Sequence, residues 1–224
     1  MPKTIIQIGT YTGDSENEAV LKSINSNDNA ILIEPIPYIF EKLKENCNKK
    51  YPNNNFKFIN KAISSKSGFF EIYTPSINND FRKFPNWAKQ ISSFNKEHIE
   101  NHIPELIIEK IIVETTTINE ILKEYNISTI DLLQIDTEGH DYEIIMNYDF
   151  KIKPKVIQYE HCHTDGVYKT GVKNDEIIEY LKQNGYKVVC PGNMNYSIVI
   201  DNIEIISGPQ DTTFMLNEFS SKEI

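Results

Sequence analysis

The chain opens on Ile5, Ile6 and Ile8, a short apolar run closed by Gly9, and the segment from Ser15 to Ile24 then carries Ala19, Val20, Leu21 and Ile24 at helical spacing. The same alternation returns twice before residue 60. Ala30 to Ile33 runs into Glu34-Pro35 and a helical stretch with Ile39, Phe40, Leu43 and Cys47, and Phe56 to Ile59 follows as a third strand. Strands alternating with helices predict βαβ units, which cross over right-handed and build a parallel sheet covered on both faces. Ligands of such sheets bind at the carboxyl ends of the strands.

Gly68 to Tyr73 reads as an added strand, and the stretch from Pro75 to about Pro104 breaks the rhythm with Asn, Ser, Pro and aromatic residues. It is expected to form a lid. The rhythm resumes with Ile111 to Val113, a helix from Thr117 to Tyr125, a strand from Asp131 to Asp136, a helix near Asp141 to Met146 and a strand from Val156 to Tyr159. A helix with Ile177, Ile178 and Leu181 then precedes Tyr186 to Val189, and two β-rich pieces, Ser197 to Ile200 and Thr212 to Met215, suit a closing antiparallel hairpin. The expected fold is α/β, a doubly wound, mostly parallel sheet with an antiparallel C-terminal hairpin, in a single domain over 1–224 with the insertion at about 75–104. No internal repeat or linker divides it.

Composition narrows the function classes. Of 224 residues, 39% are hydrophobic, enough for one sizeable core. No apolar run approaches the roughly 20 residues that span a bilayer, and no signal-peptide pattern precedes the first strand. Three scattered cysteines without a CxxC pair fit reduced thiols better than disulfides or a thiolate zinc site. A soluble, cytoplasmic protein is expected. A net charge of −9 argues against affinity won by neutralising nucleic-acid phosphates.

The first strand ends in Gln7-Ile8-Gly9-Thr10-Tyr11-Thr12-Gly13-Asp14, a glycine turn opening onto a helix, where backbone approaches a ligand closely and free N–H groups meet an anion. Such turns also serve helix packing alone. Glu34 ends the second strand, where a carboxylate can accept both hydrogen bonds of a ribose diol. The spacing Gly9-x-x-x-Gly13 lacks the GxGxxG of pyrophosphate-binding turns and the GKS/T of a phosphate loop. A cofactor with ribose but no pyrophosphate suits it better, and S-adenosylmethionine is the common one.

Four ordered pieces then carry a resemblance: Ile8 to Asp14, Ile33-Glu34-Pro35, Asn60-Lys61-Ala62-Ile63-Ser64 with Gly68, and Ile130-Asp131-Leu132-Leu133-Gln134-Ile135-Asp136-Thr137-Glu138-Gly139. Together they resemble the FkbM family of S-adenosylmethionine-dependent methyltransferases, from about Ile5 to about His161. The resemblance implies a Rossmann-like fold of the class I methyltransferase type. By position it implies that Gly9, Thr10 and Gly13 pass under the methionine part of the cofactor, that Glu34 holds the ribose, that Asn60 to Ala62 lie along the adenine, and that Asp136 sits near the methionine amino group or the acceptor. Two positions depart from the family pattern: Gln7 stands where an acid is usual, and Gln134 where a lysine is usual.

Methyl transfer from a sulfonium is an in-line displacement that needs alignment and, for a hydroxyl acceptor, a base. Asp136, His140, Glu160, His161 and His163 all fall at or beyond strand ends, with Asp136 and His161 the leading catalytic candidates. A metal at Asp136, Glu160 and His161 is a lesser reading. His98 and His102 are four apart on one helical face, with no third ligand evident from sequence. The 75–104 insertion brings Phe81, Arg82, Phe84, Trp87 and Phe94, which either pack a small core of their own or form a platform for a flat acceptor face. The resemblance implies an O-methyltransferase for a hydroxyl of a glycan, sugar or small natural product. Alternatives are a nucleic-acid methyltransferase and a non-catalytic cofactor-binding partner of another enzyme. The oligomeric state is not legible.

Overall fold

The computed structural model describes residues 2–14, 19–192, 196–200 and 203–223. Its central sheet has seven strands: β1 (Thr4–Ile8), β2 (Asn29–Ile33), β3 (Asn55–Ile59), β7 (Leu132–Ile135), β8 (Val156–Glu160), β9 (Tyr186–Cys190) and β12 (Asp211–Leu216). They lie in the order β3-β2-β1-β7-β8-β12-β9. The first five are mutually parallel, and β12 runs antiparallel to both β8 and β9. The strands are therefore added outward in one sense up to β1 and in the opposite sense from β7, and the gap between β1 and β7 is the switch point where ligand crevices form in doubly wound sheets.

Alternation along the strands builds two cores. On one face Ile5, Leu132, Val156 and Met215 pack with Val20, Leu21, Leu43 and Cys47 of helices α1 (Ala19–Ser23) and α2 (Pro37–Lys50). The expected start of α1, 15–18, lies outside the described residues. On the other face Ile6, Ile8, Leu133, Ile135, Ile157, Tyr159 and Phe214 meet α4 (Ile118–Glu124), α5 (Asp141–Met146) and α6 (Val172–Gln183). Each large apolar side chain so buried contributes about 1.5–3 kcal/mol. Helix α4 starts cleanly because Thr117 and Glu120 form a reciprocal capping box.

Two expectations about connectivity are corrected. Ile111 to Val113 does not rejoin the main sheet. It belongs to β6 (Ile108–Thr116), which pairs antiparallel with β5 (Gly68–Pro75) and parallel with β4 (Ala62–Ile63) in a separate three-stranded sheet. Val113 faces inward while Ile112 is 59% exposed, the pattern of a half-buried antiparallel strand. The C-terminal antiparallel strands are present, but 197–200 and 212–215 do not pair with each other. The former, in β10 (Tyr196–Ile200), pairs with β11 (Ile203–Ser207) and β13 (Ser221–Glu223), while β12 slots between β8 and β9.

The insertion between β5 and β6 is folded. Two short 3-10 turns and α3 (Lys96–His102) enclose Ala88, Ile91, Ile99, Ile103 and Leu106, against which Phe81 and Phe84 pack. Asn95 caps α3 by accepting the Glu97 N–H. A backbone pair between Tyr73 and Ser93, and the Ser93 hydroxyl on the Glu138 carbonyl at 2.9 Å, fasten the insertion to β5 and to the loop after β7.

Candidate functional site

A cleft of about 1590 Å³ lies over the carboxyl ends of β1, β2, β7 and β8. Its floor is made by the turn after β1. Gly9 has φ +82, and a Cβ there would fall far inside contact with the Asp136 carbonyl oxygen, so only glycine lets the ends of β1 and β7 meet. Gly9, Thr10, Tyr11 and Thr12 line the cleft. Gly13 does not face it: its missing side chain leaves room for Leu43, Cys47 and Leu21, and its φ of +63 turns the chain toward α1.

Glu34 is buried and lines the cleft. One carboxylate oxygen accepts the Tyr11 N–H at 3.0 Å and the other the Ile36 N–H at 2.9 Å. Each oxygen keeps a lone pair for a further donor. Burial pushes its pKa up to about 7, against the lowering effect of those two N–H groups. Asn60 works behind it, donating to the Glu34 and Pro35 carbonyls at 2.8 and 3.1 Å, while Ala62 reaches the cleft wall.

On the sheet face toward this cleft, residues two apart share a side, and register aligns them into rows. An apolar row (Ile5, Leu132, Val156, Met215) gives way to Gln7, Gln134, Gln158 and Thr213, and then to Gly9, Asp136, Glu160 and Asp211 at the rim. Asp136, Glu138, Glu160 and Asp211 all line the cleft. One carboxylate oxygen from each of Asp136, Glu138 and Glu160 lies within 4.8 Å of the others. Burial raises the Glu160 pKa well above the usual carboxylate range, and the charges of Asp136 and Glu138 add to the rise. Burial likewise pushes Asp211 up to about 6. Among the described residues, Gln134 Oε1 and Glu160 Oε2 are buried acceptors without a hydrogen-bond partner, both on residues of the cleft wall.

Glu138 is the residue that sequence reasoning passed over. It was visible as the third residue of Asp136-Thr137-Glu138-Gly139, and its conformation explains its place. Its φ of +52 followed by Gly139 at +93 turns the carboxylate back over the strand ends, and the Thr137 hydroxyl holds the loop on Asp141 at 2.7 Å. A non-glycine residue in that region costs about 1–3 kcal/mol, a strain typical of ligand sites. Asp211 was invisible because only the antiparallel insertion of β12 sets it opposite Glu160.

The structure separates the histidines. His161 turns away from the cleft, its Nδ1 3.2 Å from the Thr212 hydroxyl and its ring against Gly192. It therefore joins neither Asp136 nor Glu160, and Glu138 takes the third position of the acidic group. His140 lies behind the wall, on the Ser64 hydroxyl at 3.0 Å and against the Phe94 ring at 4.5 Å, and burial lowers its pKa to about 4. His98, His102 and His163 gather around Glu138 with ring centroids 4.4 to 4.9 Å apart. Trp87 and Phe94 of the insertion line the cleft, whereas Arg82 points outward onto Asp80.

No helix among the described residues is long and apolar enough to cross a membrane. No curated protein matches the chain significantly. Among solved structures, the chain is similar to a precorrin-6y C5,15-methyltransferase from Geobacter metallireducens GS-15, at 13% identity over 96% of this chain and 81% of that one, with a TM-score of 0.42. It is also similar to a methyltransferase FkbM from Methylobacillus flagellatus KT, at 8% identity over 96% of this chain and 43% of that one, with a TM-score of 0.48. Such distant likenesses add no weight of their own. The model of the methyltransferase FkbM domain, by contrast, matches residues 7–188, which include every cleft-lining strand end except that of β12. With that match on a sheet whose switch point carries the glycine turn, Glu34 and Asp136, the chain belongs to the FkbM methyltransferase family and is a methyltransferase.

Proposed function

We propose that the chain binds S-adenosylmethionine in this cleft and methylates a hydroxyl of a sugar, glycan or small natural-product acceptor held under the 75–104 insertion. The observation that carries the reading is the Glu34 carboxylate, each oxygen braced by one backbone N–H and open to one more donor, in the same cleft as the acidic rim. That donor set fits a ribose diol. The unpartnered Gln134 and Glu160 oxygens fit a cationic amino group. When bound, the cofactor would supply an electrophilic methyl group on a sulfonium. The protein's part is alignment, exclusion of water and removal of the hydroxyl proton by a rim carboxylate, for which a raised pKa is suited. The carboxylates at the strand ends disfavour a phosphate backbone, which argues for an uncharged acceptor over nucleic acid.

Calorimetry with S-adenosylhomocysteine, followed by transfer of labelled methyl from S-adenosylmethionine to hydroxylated acceptors, tests the reading. An inability of the folded chain to bind either nucleoside would overturn it. Glu34→Ala is expected to weaken binding by about 1.5–3 kcal/mol, the loss of charge-assisted hydrogen bonds. The pH dependence has a definite sign. Ribose hydroxyls donate to the ionised carboxylate, so binding lowers the Glu34 pKa from about 7 and releases a proton. Affinity should therefore be flat above that value and fall by up to about tenfold for each pH unit below it, until the lower pKa of the bound form is reached. Glu34→Gln should abolish the slope. A wild-type profile that stays flat down to about pH 5.5 would remove Glu34 from ribose binding.

The insertion supplies a further expectation. Trp87 and Phe94 face the cleft while Phe81 and Phe84 pack inside the insertion, so the aromatic residues divide into two roles. Trp87→Ala should raise the acceptor KM by about 5- to 10-fold, the worth of one aromatic contact, with cofactor affinity nearly unchanged. Phe81→Ala should act on stability. Hydrogen exchange of the insertion should slow when acceptor and S-adenosylhomocysteine are both bound. Unchanged exchange together with unchanged KM would make the segment scaffold only.

A further inference from the structure

We infer that His98, His102 and Glu138 form a binding site for a single divalent first-row transition-metal ion at the edge of the cleft, with His163 as the group that orients its carboxylate. Three elements distant in sequence converge there: α3 from the insertion, the loop after β7, and the segment after β8. One ligand-type atom from each of His98, His102, Glu138 and His163 lies within 4.8 Å of all the others. Ligands of a tetrahedral ion at about 2.0–2.1 Å stand about 3.4 Å apart, so modest side-chain rotation closes the set.

The hydrogen bonds assign the roles. His102 donates its Nδ1–H to the His98 carbonyl at 2.8 Å, which leaves the Nε2 lone pair free and fixes the ring, as a carbonyl behind a metal-binding histidine usually does. His98 Nε2 lies 2.8 Å from Glu138 Oε2, and the two are related as a ligand pair brought together before the ion arrives. A bound ion would displace the proton they share. His163 differs. Its Nδ1 accepts the Tyr168 N–H at 3.1 Å, so Nε2 carries the proton of the neutral ring and faces Glu160 Oε1 at 3.7 Å and Glu138 Oε2 at 4.0 Å. Its proton points toward the two carboxylates from just beyond hydrogen-bond distance, which places it to orient them and not to serve as a ligand.

Two imidazoles four apart on a helix with one carboxylate from elsewhere is the donor set of a site that keeps a position open. Imidazole nitrogen selects zinc-like ions over magnesium or calcium. The open side is set by Glu138, which lines the cleft, so an ion there would present its fourth position to an oxygen of the acceptor. His98 and His163 are almost fully buried, which shields the set from bulk water.

The test uses the full chain freed of metal with a chelator and titrated with Co²⁺, then Zn²⁺. It needs neither nucleoside nor acceptor, so its outcome is distinguishable from failure of the methyl-transfer reading. One Co²⁺ per chain is expected, with the visible absorption of a four- or five-coordinate ion and displacement by one equivalent of Zn²⁺. His102→Ala and Glu138→Gln should each weaken binding at least 100-fold, and His163→Ala about 10- to 100-fold. Should His102→Ala fail to fold, Glu138→Gln carries the readout, since it preserves shape. Absence of saturable binding in the wild-type chain, or binding unchanged in a folded ligand variant, overturns the site.

Discussion

Gly9→Ala is expected to destabilise the protein by about 3 kcal/mol or more, from two costs that add. An alanine at φ +82 pays about 1–2 kcal/mol for the left-handed backbone. Its Cβ would meet the Asp136 carbonyl oxygen, a backbone atom of β7's end that cannot rotate away, and such overpacking costs about 1–3 kcal/mol. A loss of this size is a large share of a typical domain's stability and lowers Tm by about 6–12 °C in a chain of this length. Gly13→Ala is the control. Its Cβ would press on the ends of flexible side chains, Leu43 Cδ1 at 2.8 Å and Cys47 Sγ at 3.1 Å, so the loss should be smaller. Thermal or denaturant unfolding measures both, and equal losses would show that the contact between the ends of β1 and β7 is not the constraint.

The largest effect on turnover is expected at Asp136. Asp136→Asn preserves shape and removes one charge from a rim where three carboxylates crowd together. If Asp136 acts on the acceptor, methyl transfer should fall by about 10²–10⁴-fold, the range for a positioned acid or base, with a smaller loss in S-adenosylhomocysteine affinity. The neighbour should respond as well. Asp136 is the foremost charge holding the Glu160 pKa up, second only to burial, so the variant should titrate Glu160 at lower pH. The acidic limb of the pH-rate profile reads this shift. Equal losses in turnover and cofactor affinity would make Asp136 a binding residue only.

Gln7 and Gln134, where the resemblance leads one to expect an acid and a lysine, are direct neighbours across β1 and β7, and Gln134 neighbours Gln158 on β8. An acid and a lysine side by side would neutralise each other, and two amides in their place leave the local charge unchanged. The sequence shows the two substitutions 127 positions apart on the chain, and only the sheet register reveals that they occur as a pair.

Much of the scaffold is legible because it is governed by local periodicity. The apolar runs of β1, β2, β3, β7, β8 and β9 and the helical spacings of α2, α4 and α6 are set by which residues must leave water. The turn after β1 and the position of Glu34 are legible because they fall at the ends of consecutive strands, where together they suit a ribose-bearing cofactor better than either does alone. These features suffice for a doubly wound sheet with a place for a ribose-bearing cofactor, and it is the resemblance to the FkbM family that implies a methyltransferase. What depends on pairing between distant segments is different. The partner of β6 is β5, and the place of β12 is between β8 and β9, because register and sheet edges are decided by side-chain packing that no local window contains.

The same division runs through the site. Sequence by itself determined the glycine turn, Glu34 and Asp136, each at the end of a strand whose direction and face are dictated by its own pattern. It ranked His161 first among the histidines on its distance from a strand, but side-chain direction after a strand end depends on the following loop, and the fold turns His161 onto Thr212. Tertiary structure alone decided that His98 and His102 from the insertion meet Glu138 and His163. That meeting rests on the Ser93 hydroxyl bond to the Glu138 carbonyl and on Glu138's left-handed backbone, contacts between residues tens of positions apart whose energies exist only once the sheet has brought their strands together.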